Sequence, residues 1–135
     1  MPITQHTIAG FQPPPEGFAH VTSASGNRIV HISGQVGADE TGAIVSGGLA
    51  AQTERALLNV ALAVEAAGAA VDDIARMTFY VVNWDPSMFE ELAKGGAAAR
   101  AHRDFPEVAV TLLGVSSLFT PDMLIEAEAV AVFDG

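Results

Sequence analysis

The sequence contains no cysteine, which excludes disulfide staples and thiolate chemistry and leaves the redox compartment unmarked. Basic residues are scarce: six Lys and Arg stand against 16 Asp and Glu, a formal net charge of −10. Such a surface repels phosphate backbones, whereas nucleic-acid binders cluster Lys and Arg, so no nucleic-acid partner is expected. No apolar run approaches the ~18 residues of a membrane span, and no basic segment followed by an apolar one opens the chain. The expectation is a cytoplasmic protein with no membrane partner. His6, His20, His31 and His102 lack the spacing of a metal site such as H-E-x-x-H, so no metal is expected. Gly47-Gly48 and Gly95-Gly96 lack the sequence context of a phosphate-binding loop, and no cofactor is expected.

What the chain does have is core material. Half of its 135 residues are apolar and 16% are charged, enough for one domain spanning 1–135 and too short for two. Short strands are expected at 5–9 and 18–23, followed by a turn at Ser25-Gly26-Asn27 and a strand over 28–33, with antiparallel pairing across the turn. Pro13-Pro14-Pro15 is loop, because proline donates nothing to a ladder. From 49 to 67, Leu57, Val60, Ala61, Val64 and Ala67 recur at helical steps, and Gly68 ends the run. A strand over 78–82 precedes a second helix, capped by Asp85 with Pro86 in its first turn and running to Arg103, weakened by Gly95-Gly96. Strands over 108–115 and 123–133 close an α+β order of β-β-β-α-β-α-β-β, a mixed sheet with two helices packed on one face. The other face then needs a cover, and self-association supplies one.

The last strand carries the most chemical information. By period-two alternation, Met123, Ile125, Ala127, Ala129, Ala131 and Phe133 form one apolar face, while Glu126 and Glu128 lie side by side among Leu124, Val130 and Val132 on the other. A half-buried carboxylate there is suited to moving protons; the plainer reading has both facing water or an arginine across the sheet. Ser33-Gly34 at a strand end gives a ligand close access to backbone, or simply marks a bulge. Phe79, Tyr80, Trp84 and Phe89 read as core packing rather than a stacking platform.

Several segments, taken in order, resemble the Rid (YjgF/RidA) imine-deaminase family. They are Ile29 to Gln35, Glu40-Thr41-Gly42, Ala51-Gln52-Thr53 leading to Leu58-Asn59, Glu65-Ala66-Ala67-Gly68, Asp72-Asp73-Ile74 and Ile125 to Ala129. The resemblance runs from about 17 to 132. It implies a chorismate-mutase-like sheet assembled as a homotrimer with small-molecule clefts between subunits, and hydrolysis of enamines or imines by water without a cofactor. It also implies Glu126 as the catalytic carboxylate, Ser33 and Gly34 as substrate contacts, and Phe18 in place of a family tyrosine.

The sequence departs from the family where an arginine grips the substrate carboxylate. In Phe105-Pro106-Glu107-Val108-Ala109-Val110-Thr111, alignment on the proline puts Val108 at that position and alignment back from Glu126 puts Val110 there. Neither pairs with a carboxylate, and Arg100 and Arg103 fall on a helix and its end. Two functions therefore stand side by side. One is a hydrolase acting on a neutral or cationic imine through a Glu126-activated water. The other is a non-catalytic trimer that binds a small molecule or a protein. The acidic composition counts against a third, ribonuclease activity.

Overall fold

The computed structural model describes residues 3–15 and 17–135. Two sheets are present among them. The smaller pairs β1 (Ile3–His6) antiparallel with β3 (Val21–Ala24). The larger has five strands in the order β2-β6-β5-β7-β4, formed by Phe18–Ala19, Val108–Val115, Ile74–Val82, Ile125–Phe133 and Arg28–Val36. β2 and β5 run parallel to β6, whereas β7 is antiparallel to both β5 and β4. The fold is therefore mixed α+β, as the order of elements predicts.

Parallel strands need a crossover, and here α2 (Phe89–Arg100) makes it between β5 and β6. The longer α1 (Gly48–Ala66) lies on the same side of the sheet, packed against α2, β4 and β7. The core sits between helices and sheet: Val60, Ala61 and Val64 of α1 meet Ile74, Met77, Val108, Ala127 and Ala131. Every second residue of β7 from Ile125 to Phe133 is buried, the alternation read from the sequence. No helix among the described residues is long and apolar enough to cross a membrane.

Four local expectations change. The strand expected over 18–23 breaks at His20, and β3 and β4 do not pair with each other: β3 joins β1 and β4 joins β7. The turn between them carries no left-handed residue, which a tight two-residue hairpin requires. Instead it docks on the end of β7, where the Asn27 N–H donates to Asp134 Oδ1 at 3.1 Å and a Cβ on Gly26 would stand 2.7 Å from the Phe133 backbone. Asp85 does cap, accepting from the Ser87 N–H at 2.9 Å, but it caps a 3-10 turn (Pro86–Met88) that precedes α2, and α2 stops at Arg100. Gly95 does not interrupt that helix; it lets α1 approach so closely that a Cβ would overlap the Ala50 carbonyl oxygen and stand 2.6 Å from Thr53 Cβ. Finally, Ser33-Gly34 is not a strand end, because β4 continues to Val36.

Two motif residues prove to be fasteners. The buried Gln52 side chain donates to the Asp122 carbonyl at 3.0 Å and accepts from the Leu124 N–H at 2.9 Å, fixing the entry to β7. Asn59 donates to the carbonyls of Val36 and Ala38 at 3.0 and 2.8 Å, fixing the exit from β4.

Candidate functional site

The sheet divides the sequence-derived site residues into two groups. Glu126 faces away from the helices, because its neighbours Ile125 and Ala127 are fully buried beneath them. Pairing of β4 with β7 passes from Ile32–Ala129 to Gln35–Ala127, so Ser33 and Gly34 together oppose one residue, Glu128. That is a β-bulge, which re-aims the strand at a point where the ladder is interrupted. Glu126 lies directly over it: a Cβ on Gly34 would overlap the Glu126 carboxylate. Any larger residue there would push the end of the Glu126 side chain out of this position. Glu126, Ser33 and Gly34 are thus brought together, and among the described residues Glu126 has no hydrogen-bond partner or ion pair.

Beside Glu126 the same face carries a polar row. Tyr80 is the cross-strand partner of Glu126, and its hydroxyl donates a short hydrogen bond to Glu128. That bond, then partial burial and the two carboxylate charges, holds the Tyr80 hydroxyl above its ordinary pKa. Arg76 reaches across to Thr111 Oγ1 at 3.0 Å. Glu128 is therefore paired with a tyrosine, while Glu126 keeps both oxygens for a ligand or water.

Phe18, Val108 and Val110 lie on the opposite face. They line a cavity of about 130 Å³ between α2 and the parallel β5–β6 pair. Period-two alternation brings Val108, Val110 and Leu112 to it from β6, and Met77 and Phe79 from β5. Helical spacing brings Phe89, Leu92, Ala93, Gly96 and Arg100 from α2. From α1, Thr53 and Leu57 complete the wall; among the described residues, the Thr53 hydroxyl is the buried side-chain oxygen left without a partner. The cavity is close to the ~150 Å³ that accommodates benzene in an apolar protein interior. Within one chain the backbone of the sheet stands between this cavity and Glu126.

Sequence reasoning names both groups of residues and an apolar cleft around Phe18 and Val108 or Val110, but not the separation of that cleft from Glu126 by the sheet, nor the wall that α2 gives it. The signal for that wall lies in α2, where positions 89, 92, 93, 96 and 100 share one face. Among the described residues no cluster of His, Asp or Glu has the makings of a metal site.

The endoribonuclease L-PSP family model matches residues 13–133. A RutC family protein of Pyrococcus abyssi is 32% identical over 105 residues, 77% of this chain and 78% of that protein. Among solved structures, YyfB of Yersinia pestis, a Rid-family protein of unknown function, superimposes with a TM-score of 0.86 at 32% identity, over 98% of this chain and all of that one (100%). TdcF of E. coli, solved with bound serine, gives a TM-score of 0.67 at 28% identity, over 77% of this chain and 80% of that one.

Proposed function

The chain belongs to the endoribonuclease L-PSP (YjgF/RidA) family, and from that premise we propose that it is a cytoplasmic, single-domain protein that acts as a homotrimer and hydrolyses a small enamine or imine with altered specificity. The observation that carries this reading is the pairing of an unpartnered Glu126 carboxylate, held over the Gly34 bulge, with an apolar cavity on the other side of the same sheet. A second copy can bring its Glu126 face to the cavity mouth, so the cleft lies between subunits. Serine bound to TdcF supports a small-molecule site in this fold.

In this reading the apolar part of the substrate fills the space beside Val108 and Val110, with the Phe18 ring as one wall. Water held by Glu126 attacks the imine carbon while Glu126 accepts its proton. The carboxyl returns that proton to nitrogen to give a carbinolamine; Glu126 then relays the hydroxyl proton to the amino group, and the C–N bond breaks as the C=O bond forms, releasing a carbonyl compound and ammonia. Ser33 and the Gly34 backbone position the substrate. Ribonuclease activity is not proposed despite the family name, because 16 acidic residues against six basic ones leave no basic stripe for RNA.

The second reading, a non-catalytic binding trimer, is favoured by Val108 and Val110, which offer no group to polarise a C=N bond. Ammonia release from freshly generated imines with apolar side chains separates the two. We expect turnover above buffer, reduced about 10²–10⁴-fold by Glu126→Gln, with light scattering giving a trimer. Release no faster than in buffer leaves the binding protein, and a monomer removes the shared cleft from both readings.

A further inference from the structure

The cavity is apolar along almost its whole length but has one charged residue on its rim. Arg100 stands at the C-terminal end of the same α2 stripe that begins with Phe89, about 16 Å away at 1.5 Å per residue. Its guanidinium lies against the loop that leads into β2: a Cβ on Gly17 would be 3.4 Å from Nη2. Arg103, three residues on, is held instead by Glu65, with Nε 2.8 Å from Oε2. Arg55 bonds the Ala38 carbonyl and Arg76 bonds Thr111. Of these four arginines, Arg100 is the one that lines the cavity.

We infer that the ligand is an amphipathic anion, with an apolar body about the size of a phenyl or isopentyl group inside the cavity and its anionic group on Arg100 at the mouth. The inference rests on the proposed ligand cavity and departs from the neutral or cationic substrate that the valines at 108 and 110 imply. Those valines take the charge out of the β6 wall; the helix returns it from the other side of the opening. An isolated apolar pocket gives no orientation to a ligand, whereas a cation at one end fixes which end enters first.

Glu107 and the overall negative charge oppose an anion here, and their reach decides the outcome. Glu107 is close by, but its Oε2 accepts the Gly17 N–H at 2.6 Å and so belongs to the loop. The net charge of −10 is spread over the surface and is screened beyond ~8 Å at physiological salt. A guanidinium in direct contact outweighs both, because charge-assisted hydrogen bonds are about twice as strong as neutral ones.

The test uses 3-phenylpropionate and its neutral counterpart 3-phenylpropan-1-ol, titrated into the intact protein by calorimetry. The acid should bind about tenfold more tightly than the alcohol. In Arg100→Gln that preference should shrink to about twofold or less, in Arg100→Lys it should be intermediate, and Ala93→Leu, which fills the cavity from α2, should weaken both ligands. Thermal melts confirm that each variant is folded. Equal binding of acid and alcohol, or a preference that survives Arg100→Gln, overturns the inference: Arg100 would then only cover apolar surface with its methylene stem. Failure of both ligands to bind overturns it too and removes the cavity on which the proposed function rests, whereas absence of imine turnover with the acid still bound would sink the catalytic reading alone.

Discussion

Replacing Gly34 by alanine should change sign with its neighbour. An alanine Cβ would overlap Glu126 Oε2 and stand 2.5 Å from Cδ and 2.8 Å from Cγ, so the end of that side chain must leave its present position. Overpacking of this kind costs about 1–3 kcal/mol. Gly34 is not in the left-handed region, so alanine fits the backbone and should gain about 0.4–1 kcal/mol by restricting the unfolded chain. The net effect in the native background is a loss of about 1 kcal/mol, or about 3–4 °C in Tm for a chain of this length. With Glu126→Ala the obstacle is gone, and Gly34→Ala should raise Tm by about 1–3 °C. Thermal melts of the four proteins at one concentration measure the cycle. Equal effects of Gly34→Ala in both backgrounds would show that Glu126 does not lie over the bulge. In turnover assays, displacement of the carboxylate by an ångström should cost about 10²-fold.

Three further outcomes follow from single contacts. Gln52→Leu leaves the Asp122 carbonyl and the Leu124 N–H unpaired in a buried place, so the urea midpoint should fall by the equivalent of about 3 kcal/mol at unchanged slope; a smaller change than about 1 kcal/mol contradicts the clamp. Thr53→Val replaces an unpartnered hydroxyl with a methyl of the same shape and should stabilise by about 1 kcal/mol, whereas destabilisation in thermal melts would reveal a partner for Thr53 Oγ1. Tyr80 holds its proton more tightly folded than unfolded, so its contribution is complete below the ordinary tyrosine pKa of 10.0 and is lost as pH climbs through the raised value. Tyr80→Phe should therefore flatten the fall in urea midpoint above about pH 10, and an unchanged slope would break the link to Glu128.

The sequence displayed whatever depends on local periodicity. Alternation in β7 separated Glu126 and Glu128 from the buried alanines, and helical spacing in α1 located the residues that meet the sheet. The pairing of β3 was not legible, because the Ser25-Gly26-Asn27 turn looks like a hairpin until Phe133 and Asp134, more than 100 residues away in the chain, take it up. Gly34 reads as a strand end or a bulge, and local pattern does not decide between them, because the side chain that fills the space over it comes from β7. Val108 and Val110 were located correctly on their strand, but whether they share a face with Glu126 depends on which of two antiparallel and parallel neighbours sets the register, and no short-range signal carries that.

The division of the site across one sheet leads to a consequence that stability measurements do not reach. If the Glu126 face of one subunit meets the cavity of the next, the contact is heterologous, and three copies close it into a ring with three equivalent sites. A Glu126→Gln subunit retains a usable cavity, while an Ala93→Leu subunit retains a usable carboxylate. In any mixed trimer of the two, one junction places an intact Glu126 against an intact cavity. After unfolding, equal mixing and refolding, three-quarters of the trimers are mixed, each with one working site of three, so ammonia release should recover to about a quarter of the native rate. Each variant alone should stay near the buffer rate. No recovery, with light scattering confirming that mixed trimers formed, would mean that Glu126 and the cavity do not serve a common site between subunits.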